Sequence, residues 1–396
     1  MKFVNNIDKD KYIKYWGECP ISHFMQSYGW GQAQKLNRNQ DPYYVGVVDD
    51  NGDILGCALL LKTKLPLGYS YFYSPRGFSL DFSNKDVLKV FTEGLKVFMK
   101  EHKAIYVKMD PPVSYQTVNT AAEKIDGENN YDLYNYLLEL GYKHKGFNKL
   151  YEGNQPRYTF RTYFDKYDSF EEVEKGIKKD YFKHVKKSRK YDVIINESTD
   201  VNKFHELIKV ISAKAGFHEY SLDYYTNVFN ELSKENLVKL IEASIDPKHL
   251  VEKLELELTT EKNPDRINKI NKDINMFKEL GEEVIVIGSI FCTYSSKGSW
   301  SLYLGNDATA EYVGATNRLY YEFIKDAYDN KLEFYDLFGT VGDPNTKFKN
   351  LAGIFEHKRL MGGELIEFMG EFDFINKPFM YKVLPTLLKV YRKIRK

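Results

Sequence analysis

Residues 355 to 374, FEHKRLMGGELIEFMGEFDF, contain the side chain most in need of a reason. His357, Lys358 and Arg359 run directly into a double glycine, and an alternating, strand-like segment with further acids follows. A surface lysine needs no such setting, and a buried one requires a cause. The plain alternative is an ion pair between Lys358 and Glu356 or Glu364. A second concentration of charge is GIKKDYFKHVKKSRKY, which places Lys178, Lys179, Lys183, Lys186, Lys187, Arg189 and Lys190 on a predicted helix with Tyr181 and Phe182 interleaved. Such a face suits phosphate contacts, or it is a solvated helix face. The last twenty residues, KPFMYKVLPTLLKVYRKIRK, carry seven cations and no acid, with Leu384, Leu387, Leu388, Val390, Tyr391 and Ile394 beside them. That pattern fits an anionic membrane surface or RNA, or a terminal packing helix with a basic end. Other chemistries lack their signatures. The eight histidines show no HExxH or ligand spacing for zinc, and there is no GxSxG elbow, P-loop or GxGxxG after a strand.

At 396 residues with 43% hydrophobic side chains, the chain can bury a large core and is too long for one ordinary domain, so two are expected. A net charge of +1 argues against a nucleic-acid coat protein but leaves room for local segregation of charge. Cys19, Cys57 and Cys292 have no CxxC or metal spacing and read as reduced thiols in a cytosolic protein. The N-terminal MKFVNNIDKDKYIKYW lacks the apolar run of a signal peptide, and no segment approaches the roughly 18 apolar residues of a membrane span.

The elements that must position these residues come in two similar series. The first reads strand YYVGVV, turn DDNGD, strand ILGCALLLK, strand YSYFYS, helix NKDVLKVFTEGLKVFMKEH and strand AIYVKMD. Its turn carries Asn-Gly between apolar runs, and the helix repeats apolar residues with a 3.6-residue period. The second reads LVKLIEA, VIVIGSIFCTY, SWSLYLG, helix TNRLYYEFIKDAYDN and strand EFYDLFG. Each series ends its last strand near an aspartate, Asp110 and Asp336. The order implies a duplicated α/β unit of antiparallel strands, a crossover helix and a further strand, as in acyltransferase-type folds. Where the first unit has its short turn, the second has residues 246–281, whose apolar stripes and central Asn263-Pro264 predict two antiparallel helices forming a projecting arm. That arm is either a solvated hairpin or a contact for RNA or protein. The expected division is 1–156 plus about 364–396 for the first unit and 157–363 for the second, with the arm at 246–281.

Six segments in order then resemble the FemABX family of non-ribosomal peptidyltransferases: FMQSYGWGQAQK, SPRGFSLDF, VKMDPP, LGYKHKGFNKLYEGNQPRYTF, FYDLFGTVGDP and HKRLMGGELIEFMGEFD. The resemblance spans nearly the whole chain. It implies two acetyltransferase-like (GNAT-like) domains and an α/β fold, with a helical arm inserted in the second domain. It also implies transfer of an aminoacyl group from aminoacyl-tRNA to the side-chain amine of a peptidoglycan stem peptide, carried on lipid II or on UDP-MurNAc-pentapeptide. No cofactor is implied, because the donor is already an activated ester. Such a reaction needs a neutral attacking amine, alignment, and stabilisation of a tetrahedral oxyanion. By resemblance Lys358 is the family's lysine beside the reaction centre. Asp110 matches an aspartate near the acceptor amine, although its DPP context also fits a strand-ending turn and an ordinary aspartate is a poor base at neutral pH.

The implied substrate-binding residues are Trp30, Lys35, Arg76, Lys183, Lys186 and Tyr303. Lys35 falls near a phosphate-binding lysine with a one-residue ambiguity against Gln34. Phe182 stands where the family has a phosphate-binding arginine, with Lys183 and Lys186 as the nearest replacements, and lysine lacks the bidentate fork of arginine. Phe78 replaces a family proline, and His357 replaces an aromatic residue. The expected setting is the cytoplasm, with peripheral contact at the inner membrane face through the basic tail, and self-association as a further expectation. Two other readings stand beside this one: an acetyl-CoA-dependent acyltransferase on the same fold, and a non-catalytic partner of tRNA or membrane.

Overall fold

The computed structural model describes residues 1–385, so most of the basic tail, including Leu387, Leu388, Val390, Tyr391 and Ile394, lies outside the described residues. Strands β1 (Lys2–Val4), β2 (Asp41–Val48), β3 (Ile54–Lys64), β4 (Ser70–Ser74), β5 (Ser79–Leu80) and β6 (Ala104–Met109) build a first sheet. The chain then contributes β7 (Ser114–Val118) and β8 (Lys124–Asn129) to the far edge of a second sheet and returns with β9 (Tyr142–His144) to the edge of the first. The second sheet takes β10 (Tyr158–Tyr163), β11 (Ile194–Ser198), β12 (Val238–Ile245), β13 (Ile285–Tyr294), β14 (Gly298–Asn306), β15 (Phe334–Thr340) and β16 (Glu364–Phe368). Finally β17 (Phe372–Ile375) inserts between β6 and β9 of the first sheet. The return to the first sheet thus falls between Phe368 and Phe372, after β16 has paired with β10 and β7.

The helices that bear on the site are α1 (Tyr28–Arg38), α2 (Lys85–Glu101), α3 (Lys179–Lys190), α4 (Leu222–Ser233), α5 (Pro247–Leu258), α6 (Pro264–Glu279), α7 (Ala315–Asp329) and α8 (Lys349–Leu360). The two series share one geometry. β2, β3 and β4 run antiparallel, α2 crosses over, and β6 lies parallel to β4. In the same way β12, β13 and β14 run antiparallel, α7 crosses over, and β15 lies parallel to β14. Local chemistry explains the turns. Asp49 accepts the amides of Asn51 and Asp53, and Gly52 takes the left-handed φ of +92° that closes the β2–β3 hairpin. α2 starts on Asn84, whose side chain accepts the Val87 amide, and buries the stripe Val87, Leu88, Phe91, Leu95 and Phe98.

The arm corrects one expectation. α5 and α6 pair antiparallel, each opened by a capping Asp246 or Asn263 with proline in the first turn, but they do not project freely. Leu250, Leu254, Ile270, Ile274 and Phe277 join the core of the second unit. Buried Asp273 of α6 accepts the hydroxyls of Tyr191, at 2.6 Å, and of Tyr312. A carboxylate so placed is satisfied only while the hairpin stays docked.

One apolar cluster joins the two sheets: Trp16, Phe24 and Trp30 from the first unit pack with Phe204, Tyr225, Trp300 and Phe334 from the second. Cys19, Cys57 and Cys292 are all buried and unbridged. No helix among the described residues is long and apolar enough to cross a membrane.

Candidate active site

Where the two units meet, a cavity of about 330 Å³ opens. α1 lines it with Trp30, Gln34 and Arg38, which recur every fourth residue and so share one helix face. Tyr220 and Tyr224 line it from the start of α4, Tyr303 from β14, Tyr73 and Pro75 from the end of β4, and Phe338 from β15. The tyrosines are mutually ordered. Tyr220 stacks on Tyr224 with centroids 4.0 Å apart, and the hydroxyls of Tyr224 and Tyr303 lie 3.3 Å apart. Arg38 donates to the Tyr220 hydroxyl at 3.2 Å, leaving other guanidinium N–H groups for an anion or carbonyl. Gln34 is buried, and its Nε2 has no partner within the protein. A buried amide donor with nothing to bond is a group built for a ligand or a water.

Lys358 occupies the last turn of α8, just before Gly362 and Gly363, both left-handed at φ +87° and +81°. Those φ values require glycine, and a Cβ at Gly363 would lie 2.5 Å from the Arg161 carbonyl. The lysine Nζ donates to the carbonyls of Phe338, at 3.1 Å, and Gly339, at 2.6 Å. Neither acid offered by the sequence pairs with it: Glu356 binds Arg359 and Glu364 binds Lys166. Burial pulls its pKa down to about 8, opposed by the charge of Asp336. His357 beside it lies between the rings of Tyr181 and Tyr320, at 5.5 and 5.7 Å. Burial, reinforced by the charge of Lys358, lowers its pKa to about 4, so the imidazole is neutral and serves as the ring that the sequence pattern calls for there.

Asp110 follows β6 and is 1% exposed. Oδ1 accepts the Arg76 amide at 2.7 Å, and Oδ2 accepts the hydroxyl of Tyr73 at 3.0 Å. Burial raises its pKa to about 7, against the pull of the Arg76 charge and amide. Tyr73 lines the cavity, so Asp110 stands one hydrogen bond behind the lining, as Lys358 does behind Phe338. Arg76 turns inward. Its Nη2 donates to the Pro156 carbonyl at 2.6 Å and its guanidinium lies 4.5 Å from the Phe368 ring, joining the loop after β4 to the second sheet.

Of the expected residues, Trp30 and Tyr303 line the cavity, Asp110 and Lys358 stand behind it through Tyr73 and Phe338, Arg76 bonds the carbonyl of the lining residue Pro156, and Lys35, Lys183 and Lys186 lie away from it. Lys35 is exposed and does not line the cavity, whereas Gln34 and Arg38 of the same helix do. Lys183 is exposed and pairs with Asp180 at 2.8 Å, while Lys186 lies over the Phe182 ring. These two belong to the outer face of α3. Arg38 was recoverable from sequence, since it continues the i, i+4 spacing of Trp30 and Gln34. Tyr73 and Phe338 carried no comparable signal. Among the described residues, no three His, Cys, Asp or Glu side chains assemble as a metal site would require.

Comparison with known proteins agrees with this architecture. The FemAB family model matches residues 7–279 and 258–389. Lipid II:glycine glycyltransferase of Staphylococcus epidermidis is 26% identical over 99% of this chain and 97% of its own length, and that of Staphylococcus aureus is 27% identical over the same shares. The crystal structure of FemX superposes with a TM-score of 0.80 at 25% identity, over 97% of this chain and 100% of that one. A tandem GNAT protein from the clavulanic acid biosynthesis pathway, 8% identical with a TM-score of 0.50, covers 94% of this chain and 97% of its own and shares the fold alone. With its duplicated units, its cavity between them and a family match along almost its whole length, the chain belongs to the FemAB family.

Proposed function

We propose that this protein is an aminoacyltransferase of peptidoglycan bridge synthesis, moving an amino acid from aminoacyl-tRNA to the side-chain amine of a stem peptide carried on lipid II. The observation that carries the reading is the cavity between the two units, with Asp110 of the first bonded to its lining residue Tyr73 and Lys358 of the second bonded to the carbonyl of its lining residue Phe338. The lipid-linked acceptor is favoured by the names of the staphylococcal relatives. The acceptor amine attacks the ester carbonyl of the donor, and a carbon–nitrogen bond forms. The resulting tetrahedral oxyanion collapses with cleavage of the ester carbon–oxygen bond, and the 3′-oxygen of the tRNA leaves as a hydroxyl, taking up the proton that the amine released. Lys358 Nζ, with two N–H groups held by carbonyls, keeps a third for the oxyanion. Asp110, with its elevated pKa, is matched to receiving the amine proton near neutrality, with Tyr73 as its contact to the cavity. Trp30, Gln34, Arg38 and Tyr303 hold the acceptor, and the cations on the outer face of α3 meet donor phosphates.

The test is transfer of labelled amino acid from a pool of charged tRNAs to purified lipid II, comparing wild type with Lys358→Ala. Label in the lipid that falls sharply in the variant supports the reading. Equal transfer by both makes Lys358 structural. No transfer to lipid II or to the nucleotide-linked precursor overturns the enzymatic reading, and product formed only with acetyl-CoA replaces the donor.

A further inference from the structure

Lys358 depends on an irregularity at the end of β15. Asp336, 2% exposed, has every lone-pair direction engaged. Oδ2 accepts Nε and Nη2 of Arg161 at 3.1 and 2.9 Å, and Oδ1 accepts the Thr159 hydroxyl at 2.5 Å and the Phe338 amide at 2.7 Å. The pairing of β10 with β15 slips between Thr159 and Arg161, which allows both side chains to reach the same carboxylate. Phe338 is left-handed at φ +59°, a conformation that disfavours an aromatic residue. That turn points the carbonyls of Phe338 and Gly339 at Nζ of Lys358.

We propose that Asp336 is the positioning residue for the Lys358 ammonium: by holding the left-handed turn at Phe338 it aims two carbonyls at Nζ and leaves the third N–H free for the developing oxyanion. The inference rests on the aminoacyl-transfer reading for its last clause only. The charge that acts on Nζ is Asp336 from β15, itself paired with Arg161 of β10; His357 beside it on α8 is kept neutral by burial. Asp336 is also the charge that resists the effect of burial on Lys358.

The test needs no substrate. Competitive labelling of the full chain with acetic anhydride between pH 6 and 10, read by mass spectrometry on the Lys358 peptide, gives the titration midpoint of that amine. In Asp336→Asn the midpoint should fall by about one pH unit, a tenfold shift in the ionisation ratio. The alkaline limb of transfer should move with it, through kcat rather than KM. Thr159→Val removes a hydroxyl that lies 2.5 Å from Asp336 and 2.9 Å from the Phe338 carbonyl but removes no charge, and should shift the midpoint by less than Asp336→Asn does. Should Asp336→Asn fail to fold because Arg161 is left buried and unpaired, Phe338 supplies the second pair. Phe338→Gly tolerates the turn and should keep the midpoint, whereas Phe338→Val opposes it and should lower it. An unchanged midpoint in folded Asp336→Asn or Phe338→Val overturns the inference. A shifted midpoint in a protein with no transferase activity would uphold the positioning role and reject the aminoacyl-transfer reading.

Discussion

A lysine that loses its proton near pH 8 and a carboxyl that keeps its own to near pH 7 leave a narrow range in which ammonium and carboxylate coexist. Transfer should follow a bell-shaped kcat profile with an acid limb near 7 and an alkaline limb near 8, measured with lipid II in excess. Asp110→Asn should abolish the acid limb, spare the alkaline one and lower kcat by about 10²- to 10⁴-fold. Lys358→Ala should lower kcat by about 10²- to 10³-fold, as loss of one oxyanion donor does. The same shifts set the pH dependence of stability. Between the ordinary aspartate value of 3.8 and about 7, the native state holds more protons at Asp110 than the unfolded chain, so this residue's contribution declines as pH rises. Between about 8 and the ordinary lysine value of 10.5, the unfolded chain holds more at Lys358, so its contribution grows as pH rises. Urea denaturation midpoints of the two variants against wild type, across pH 5 to 10, would show both slopes. The setting of Lys358, a charged run beside Gly-Gly, was legible in the sequence, while its role beside a reaction centre came from the family resemblance. What holds it was not legible, since the left-handed turn at Phe338 depends on a carboxylate two residues earlier and on partners some 175 positions away.

The helix pair α1 and α4 decides the width of the cavity. They approach so closely at Gly29 that a Cβ there would lie 2.6 Å from the Glu231 carbonyl, a backbone atom that cannot swing aside. Beyond it, Asn37 receives the side-chain amide of Asn227 at 2.9 Å and donates to the Tyr224 carbonyl at 3.1 Å. Gly29→Ala should therefore destabilise the protein by about 1–3 kcal/mol, seen in urea unfolding, and should raise KM more than it lowers kcat. α3 makes a different demand. Lys179, Lys186 and Lys190 are exposed with no acid within ion-pair distance among the described residues. Replacing Lys186 and Lys190 by alanine should weaken RNA binding, and the slope of log affinity against log salt should become shallower by about one unit for each phosphate no longer neutralised. Elements of this kind were legible, because periodicity and turn residues act locally. The docking of the arm was not: α5 and α6 have clear stripes, but Asp273 finds Tyr191 at a separation of 82 residues.

At the scale of the molecule, the sequence showed two units in series, and the parallel β4–β6 and β14–β15 pairs confirm that order. The expected return at about residue 364 falls a few residues before the crossing between Phe368 and Phe372. β16 pairs in the second sheet and β17 in the first, and the two strands are only three residues apart in the chain. The crossing has a consequence for how the protein is made. β6 and β9 meet only through Phe372–Ile375, so the first sheet stays open while the 228 residues from His144 to Phe372 are added. At typical synthesis rates that wait is roughly 10 to 50 seconds. Nascent chains arrested short of residue 370 should thus be cut readily by protease within the first unit, and released full-length chains should resist. A half-built strand edge of this length invites pairing with a neighbouring polypeptide, and the hazard lasts until late in synthesis, because the first-made part of this protein is the last to close.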